Sequence, residues 1–192
     1  RVSYKTEMKH LEAQIRWGQT PLTSCFFDGC VERGRDLSSG TKYNILSCGG
    51  ISFANAVDSL AAIRQVVYEK REAIPSDIAA ACAANFKGHE RLRAKLLAAP
   101  KHGNDIPEMN RMTHRVYESI LTAFNNVDGG GNYLSKDIKS APDAYTKSIH
   151  NLMGLVTGAL PTGKKAGVAL TDGSLSAMPG TDVNGPTALV MS

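Results

Sequence analysis

The residues whose types and spacing could do chemistry are few. Gly29-Cys30-Val31-Glu32 sets a thiol two residues from a carboxylate, which suits a cysteine-centred reaction in which the acid manages a proton. The same residues suit a packed cysteine on a short helix, with Glu32 in solvent and Arg33, Arg35 and Asp36 in a solvated turn. On residue types alone the packing reading is the stronger. Gly158-x-x-x-x-Gly163-Lys164 has the outline of a phosphate-cradling loop, but Lys165 stands where Ser or Thr would hold magnesium and Pro161 removes an amide donor. Nucleotide binding is therefore not expected there. His89, His102, His114 and His150 share no ligand spacing and read as surface or loop residues, while Ser38-Ser39 lacks a nucleophile-elbow frame. No catalytic residue, metal ligand or bound cofactor is expected among these residues.

Elements must position whatever site there is, and 192 residues are enough for one domain or part of a larger one, but not comfortably for two. A hydrophobic content of 42% with no apolar run near the ~20 residues of a membrane span argues for a globular chain without a transmembrane segment. The net charge of +4 comes from scattered bases, with His89-Glu-Arg-Leu-Arg-Ala-Lys95 as the one dense basic run, so nucleic acid is not an expected partner. Cys25, Cys30, Cys48 and Cys82 form no Cys-x-x-Cys pair and suit reduced cytosolic thiols.

Periodicity predicts an amphipathic helix through Tyr4, Met8, Leu11 and Ile15, stopped at Gly18. Residues 20–50 are irregular, with a short helix over Phe26 to Arg33. Ser52 to Lys70 is the clearest helix: Phe53, Ala56, Val57, Leu60, Ile63 and Val67 form its apolar stripe, Asp58 falls away from it, and Ser52 is the expected N-cap. Pro75-Ser76-Asp77 starts a second helix through Phe86, Gly88 interrupts it, and Glu90 to Ala98 resumes. Asp105 and Glu108 resemble a capping box ahead of a third long helix through Met109, Met112, Val116, Ile120 and Phe124. A loop over Asn125 to Pro142 follows. Strands are predicted over Tyr145 to Val156 and Thr187 to Met191, which makes the fold class α/β, helix-rich in the middle with strands near the C-terminus. From Gly158 to Ala188 glycine or proline recurs every few residues between short apolar pieces, the mark of backbone threaded tightly past neighbours. Loops of that kind line sites.

Several strings stand in the order found in one family. Asp28-Gly-Cys-Val-Glu-Arg-Gly-Arg-Asp36 with Gly40-Thr-Lys-Tyr-Asn44, then Ala56-Val-Asp-Ser-Leu-Ala-Ala-Ile63, Asn85-Phe-Lys-Gly-His-Glu90 and Ala99-Pro-Lys-His-Gly-Asn-Asp105 resemble glycyl radical enzymes. The likeness continues through Gly158-Ala-Leu-Pro161 and Gly180-Thr-Asp-Val-Asn-Gly-Pro-Thr-Ala188, so it covers nearly the whole chain. It is closer to the dehydratase and lyase branch, with glycerol dehydratase and choline trimethylamine-lyase, than to pyruvate formate-lyase.

The resemblance implies a ten-stranded α/β barrel in which a glycyl radical and a thiyl-forming cysteine meet, the radical being installed by an S-adenosylmethionine iron–sulfur activase. In the family the cysteine stands in a Gly-Cys-x-Glu loop well before this region and the radical glycine in an Arg-Val-x-Gly-Tyr loop well after it. Residues 1–192 are thus expected to be a single partial domain, the C-terminal portion of the barrel without either loop, and Cys30 a decoy. The substrate-binding residues implied are Leu175, Ser176, Ala177 and Met178, within a stretch that begins at Gly173 and Ser174. Ala177 stands where the family commonly has proline and Thr162 where it has aspartate. The expected function is radical elimination or cleavage of a small hydroxylated or aminated substrate, with this chain inactive alone. A decarboxylase, acyltransferase or bond-forming synthase of the same family, or a non-catalytic partner-binding remnant, is the alternative. Implied partners are the remainder of the enzyme, the activase, a second copy in a homodimer and a small-molecule substrate, in the cytoplasm or a bacterial microcompartment.

Overall fold

The computed structural model describes residues 2–49, 51–125, 138–143, 148–173 and 175–192. The chain forms two compact units, one from residues 1–48 and 119–143, the other from 49–118 and 144–192.

In the first unit the 3.6-residue spacing is realised as α1 (Val2–Trp17), with Leu11 and Ile15 half-buried, and the Gly18 amide donates to the Gln14 carbonyl at 2.8 Å where the helix stops. Three single-turn helices follow, α2 (Pro21–Ser24), α3 (Cys30–Arg33) and α4 (Leu37–Gly40), then β1 (Asn44–Gly49), which pairs with β2 (Ile138–Asp143). The helix expected over Phe26 to Arg33 is shorter because the chain turns at Gly29 with φ of 92°. Asp36 ties these turns together. Its carboxylate accepts from the Thr20 amide at 2.6 Å, the Ser24 hydroxyl at 2.9 Å and the Ser38 amide at 3.3 Å. Burial opposes its ionisation, but those hydrogen bonds prevail and hold the carboxyl below its usual range.

The second unit is helical among the described residues. Helix α5 (Phe53–Ile63) continues into a π-helical turn over Arg64–Glu69, and α6 (Pro75–Ala83), α7 (Glu90–Leu97), α8 (Pro107–Asn125, its residues from 119 on counted in the first unit), α9 (Ile149–Val156) and α10 (Pro186–Met191) follow. Ala62, Val66, Val67, Ile78, Ala81, Phe86, Leu96 and Ala99 form one core, and Val57, Ala61 and Met109 a smaller one. Of the predicted stripe of α5, Phe53 and Val57 pack with the smaller cluster and Ile63 and Val67 with the larger, while Ala56 and Leu60 are exposed. Asp77, third in α6, accepts from the Ile74 amide at 3.0 Å and caps that helix.

Five further expectations change. The strand predicted over Tyr145 to Val156 is a helix from Ile149 on, residues 145–147 lying outside those described. A short run rich in apolar residues satisfies either period, and the packing decides: a Cβ on Gly154 would lie 2.6 Å from the Val168 carbonyl oxygen, so the helix is seated on backbone there. The strand predicted over Thr187 to Met191 is also a helix. Pro186, with its fixed φ, opens it, and the Leu189 amide donates to the Gly185 carbonyl at 3.2 Å. Ser52 does not cap α5 with its side chain, because it adopts φ of 70° and its amide turns to the Thr171 and Asp172 carbonyls. Asp58 is not on an outer face; it is 1% exposed. Of the loop expected over Asn125 to Pro142, residues 126–137 lie outside those described, and Ile138–Asp143 is strand.

Candidate functional site

The glycine-punctuated segment from 171 to 184 lies within the second unit, and buried polar side chains hold it at several points. Asn55, on the first turn of α5 and 3% exposed, accepts the Thr171 amide at its Oδ1 (2.8 Å) and donates from Nδ2 to the Met178 sulfur at 3.6 Å. One turn on, Asp58 accepts the His102 amide at 2.8 Å. Burial pushes the Asp58 carboxyl up to about 6, against the lowering effect of that amide, of Lys101 and of His102. Lys101 is itself 8% exposed and donates to the Leu96 and Ala99 carbonyls at 2.9 and 2.8 Å. Burial lowers its ammonium pKa, and Asp58 opposes the change.

His102 is 3% exposed and uses both ring nitrogens. Nε2 lies 2.7 Å from the Leu175 carbonyl oxygen and Nδ1 3.2 Å from the Thr113 hydroxyl. A carbonyl can only accept, so Nε2 carries the proton and, in the neutral ring, Nδ1 accepts from Thr113; this tautomer is assigned from the partners. Phe53 meets the imidazole edge-on, with ring centroids 6.5 Å apart. His102 stands in the loop between α7 and α8, as one half of its reading has it, but it is buried rather than on the surface and bridges α8 and the segment at Leu175.

Asn104 completes the arrangement. Its Nδ2 donates to the Thr181 carbonyl at 2.8 Å and the Lys101 carbonyl at 3.2 Å, while its Oδ1 accepts the Val183 and Asn184 amides at 2.8 and 3.1 Å. All the hydrogen-bonding capacity of one amide is used. Between these anchors Gly103, at φ of 92°, lets the backbone approach the segment so closely that a Cβ would sit 2.6 Å from the Ala177 Cβ.

Of the residues expected to contact substrate, Leu175 is fixed through its carbonyl and leaves its side chain 43% exposed, and Ser176 is exposed. Ala177 packs towards Gly103, and Met178 receives Asn55 and accepts Thr181 at its carbonyl, from Oγ1 at 2.8 Å. Ser174 lies outside the described residues. Residue types did not single out Asn55, Asp58, Lys101, His102 and Asn104, although the ordered strings contain Asp58, Lys101, His102 and Asn104. A run of Lys, His, Gly and Asn between Pro100 and a helix was the available signal.

The outlying motifs resolve differently. Cys30 is 2% exposed and lines a cavity of about 300 Å³ with Cys25, Ser24 and Asp36 in the first unit. Burial raises its thiol pKa, and Asp36 and Glu32 raise it further, the reverse of an activated nucleophile. Gly158 to Lys164 follows a helix rather than a strand and closes as a turn, with the Leu160 amide donating to the Lys164 carbonyl at 3.0 Å. No group of three His, Cys, Asp or Glu side chains that could hold a metal occurs among the described residues, and no helix among them is long and apolar enough to cross a membrane.

The family model described as pyruvate formate lyase-like matches residues 2–154. This chain belongs to that family. It is 34% identical over 185 residues to the probable dehydratase YbiW of Escherichia coli (strain K12), covering 89% of this chain and 22% of that protein. It is 30% identical over 179 residues to trans-4-hydroxy-L-proline dehydratase of Clostridioides difficile, covering 90% of this chain and 21% of that protein. Among solved structures, the glycerol-bound form of the B12-independent glycerol dehydratase from Clostridium butyricum superposes with a TM-score of 0.81 at 32% identity, over 94% of this chain and 22% of that one. The chain therefore matches a section of a glycyl radical dehydratase or lyase and spans about a fifth of the length of these relatives.

Cys30 is the one cysteine in a Gly-Cys-x-Glu frame; its thiol is buried, with a raised pKa, and no step is assigned to it. The described polar side chains around 171–184 position its backbone.

Proposed function

We propose that this chain is a section of the barrel of a glycyl radical lyase or dehydratase, and that its part in the reaction is to present residues 175–178 to a small hydroxylated or aminated substrate. The observation that carries the reading is the convergence of Asn55, His102 and Asn104 on one segment, whose backbone they hold at Thr171, Leu175, Thr181 and Val183 while the Leu175 side chain stays exposed. A wall built this way offers an apolar surface at Leu175 and Met178 and a hydroxyl at Ser176. The radical and the cysteine that relays it would come from elsewhere in the enzyme, with an activase installing the former. The exposed apolar residues of α9 support a section that packs within a larger fold: Leu152, Leu155 and Val156 are 65%, 67% and 84% exposed.

The complete encoded protein, activated anaerobically with its radical-installing partner, should give a glycine-centred doublet by electron paramagnetic resonance and eliminate from a short diol or amino alcohol. No doublet with an activase that works on another member of the family would end the reading. Leu175→Ala in that protein should raise KM or shift preference among substrates, with the radical yield unchanged.

A further inference from the structure

Two basic strings far apart in the sequence meet at one cavity in the second unit. Lys87 and Arg93 come from the loop before α7 and from α7 itself, and Lys165 from the turn after Gly163. Together with Asn85, Phe86 and Glu90 they line a cavity of about 440 Å³, within the size range of small-molecule sites.

The walls are built from specific interactions. Arg93 donates from Nε to the Gly163 carbonyl at 2.8 Å and lies with its guanidinium carbon 6.0 Å from the Phe86 ring centroid. Asn85 accepts the Ala166 amide at its Oδ1 (2.9 Å), which leaves its Nδ2 as a donor. Asn85 and Phe86 both take positive φ, 49° and 63°, so the loop that carries Lys87 is held in an unfavourable backbone conformation. Glu90 is committed to the Gly88 amide at 3.0 Å and stays ionised, its hydrogen bonds to backbone amides being the main cause of a lowered pKa, with His89 and Lys165 adding to it. Three cations against this one carboxylate leave two positive charges facing the cavity. Arg93 retains its two terminal amino groups, the fork that suits a tetrahedral oxyanion.

We propose that this cavity is an anion site for a phosphate group, either free phosphate or a small phosphate monoester, held by Lys87, Arg93 and Lys165. It stands apart from residues 175–178 in role and does not depend on the radical reading. Titration calorimetry on the complete encoded protein in low-salt buffer, with inorganic phosphate in one arm and glycerol phosphate in another, tests it. Saturable binding is expected in at least one arm, and tighter binding of the ester would identify a metabolite rather than free phosphate as the source. Lys87→Gln and Lys165→Gln, both at exposed positions, should each weaken binding about tenfold, the size of one charge-assisted hydrogen bond, with thermal melting unchanged. No heat of binding in either arm at ten-millimolar ligand, or affinity unchanged in the double variant, would overturn the proposal. Binding of an acidic peptide with none of either phosphate would overturn it as well.

Discussion

Asp58 makes the stability of this chain sensitive to pH, and the sign follows from its burial. Its carboxyl is 1% exposed and titrates near 6 in the folded chain against an ordinary value of 3.8, with desolvation as the leading cause. A carboxyl with a raised folded pKa favours folding while it is protonated, and that advantage disappears as pH rises between the two values. A displacement of about two units corresponds to about 3 kcal/mol in all, most of it lost between about pH 4 and 6. Asp58→Asn keeps an oxygen for the His102 amide and removes the charge. Lys101 retains its two carbonyl partners, Leu96 and Ala99, but loses the carboxylate that favours its charge, which offsets part of the gain. Urea denaturation of the wild-type and Asp58→Asn proteins from pH 4.5 to 7.5 should give curves that diverge, the variant gaining relative stability as pH rises. The difference cancels the titration of other carboxylates. Parallel curves, within about 0.5 kcal/mol across the range, would mean that Asp58 ionises freely and that the buried contact with the His102 amide is not maintained.

Other perturbations have equally definite outcomes. Asn104→Ala removes four hydrogen bonds to backbone groups of Lys101, Thr181, Val183 and Asn184 and should destabilise by about 3 kcal/mol, read by chemical denaturation. Asn104→Asp keeps the acceptor for Val183 and Asn184 but turns an oxygen on two carbonyls. It should be at least as destabilising at pH 7.5 and recover towards pH 5, as the carboxyl regains a proton to donate. Gly103→Ala places a methyl 2.6 Å from the Ala177 Cβ at φ of 92° and should cost about 1–3 kcal/mol while raising amide exchange over residues 175–178. With iodoacetamide at pH 7.5, exposed Cys25 should be alkylated at least about ten times faster than buried Cys30, as mass spectrometry of the peptides would report.

Helices were legible where an apolar stripe ran for three turns or more, as in α5 and α8, since burial of one face rewards a single period. The end of the chain was not legible by that rule. In α9 the one buried residue is Gly154, which carries no hydrophobic signal, and the neighbouring apolar side chains remain exposed, so their order could not distinguish a helix from a strand. Asp58 was misplaced for a related reason. A charged residue beside a stripe normally faces water, and here its partner is the amide of His102, 44 positions away, which no local pattern encodes. From its glycines and prolines alone the segment over 158–188 was recognisable as turning backbone, but not as the closely packed backbone expected: Gly163 lies against Leu97, whereas Gly158, Gly167, Gly180 and Gly185 have open space where a Cβ would stand. The residues that hold it were not legible, because Asn55, His102 and Asn104 act through backbone amides and carbonyls, which look alike at every position in a sequence.

That mode of attachment bears on how one scaffold could serve several substrates. Residues 171–184 carry few large apolar side chains, so packing alone would fix their position poorly; directional bonds from Asn55, His102 and Asn104 fix backbone atoms at Thr171, Leu175, Thr181, Val183 and Asn184 instead. Such bonds are indifferent to what Leu175 or Ser176 carries as a side chain. If residues 175–178 face the substrate, exchange of Leu175 alters what the wall presents while leaving where it stands, whereas exchange of His102 moves the wall itself. His102→Phe is therefore expected to weaken every substrate together, and Leu175 variants to reorder them. Kinetics of the complete protein on a panel of short diols and amino alcohols separates the two, and a Leu175→Ala profile that is merely a scaled copy of the His102→Phe profile would refute the division of labour.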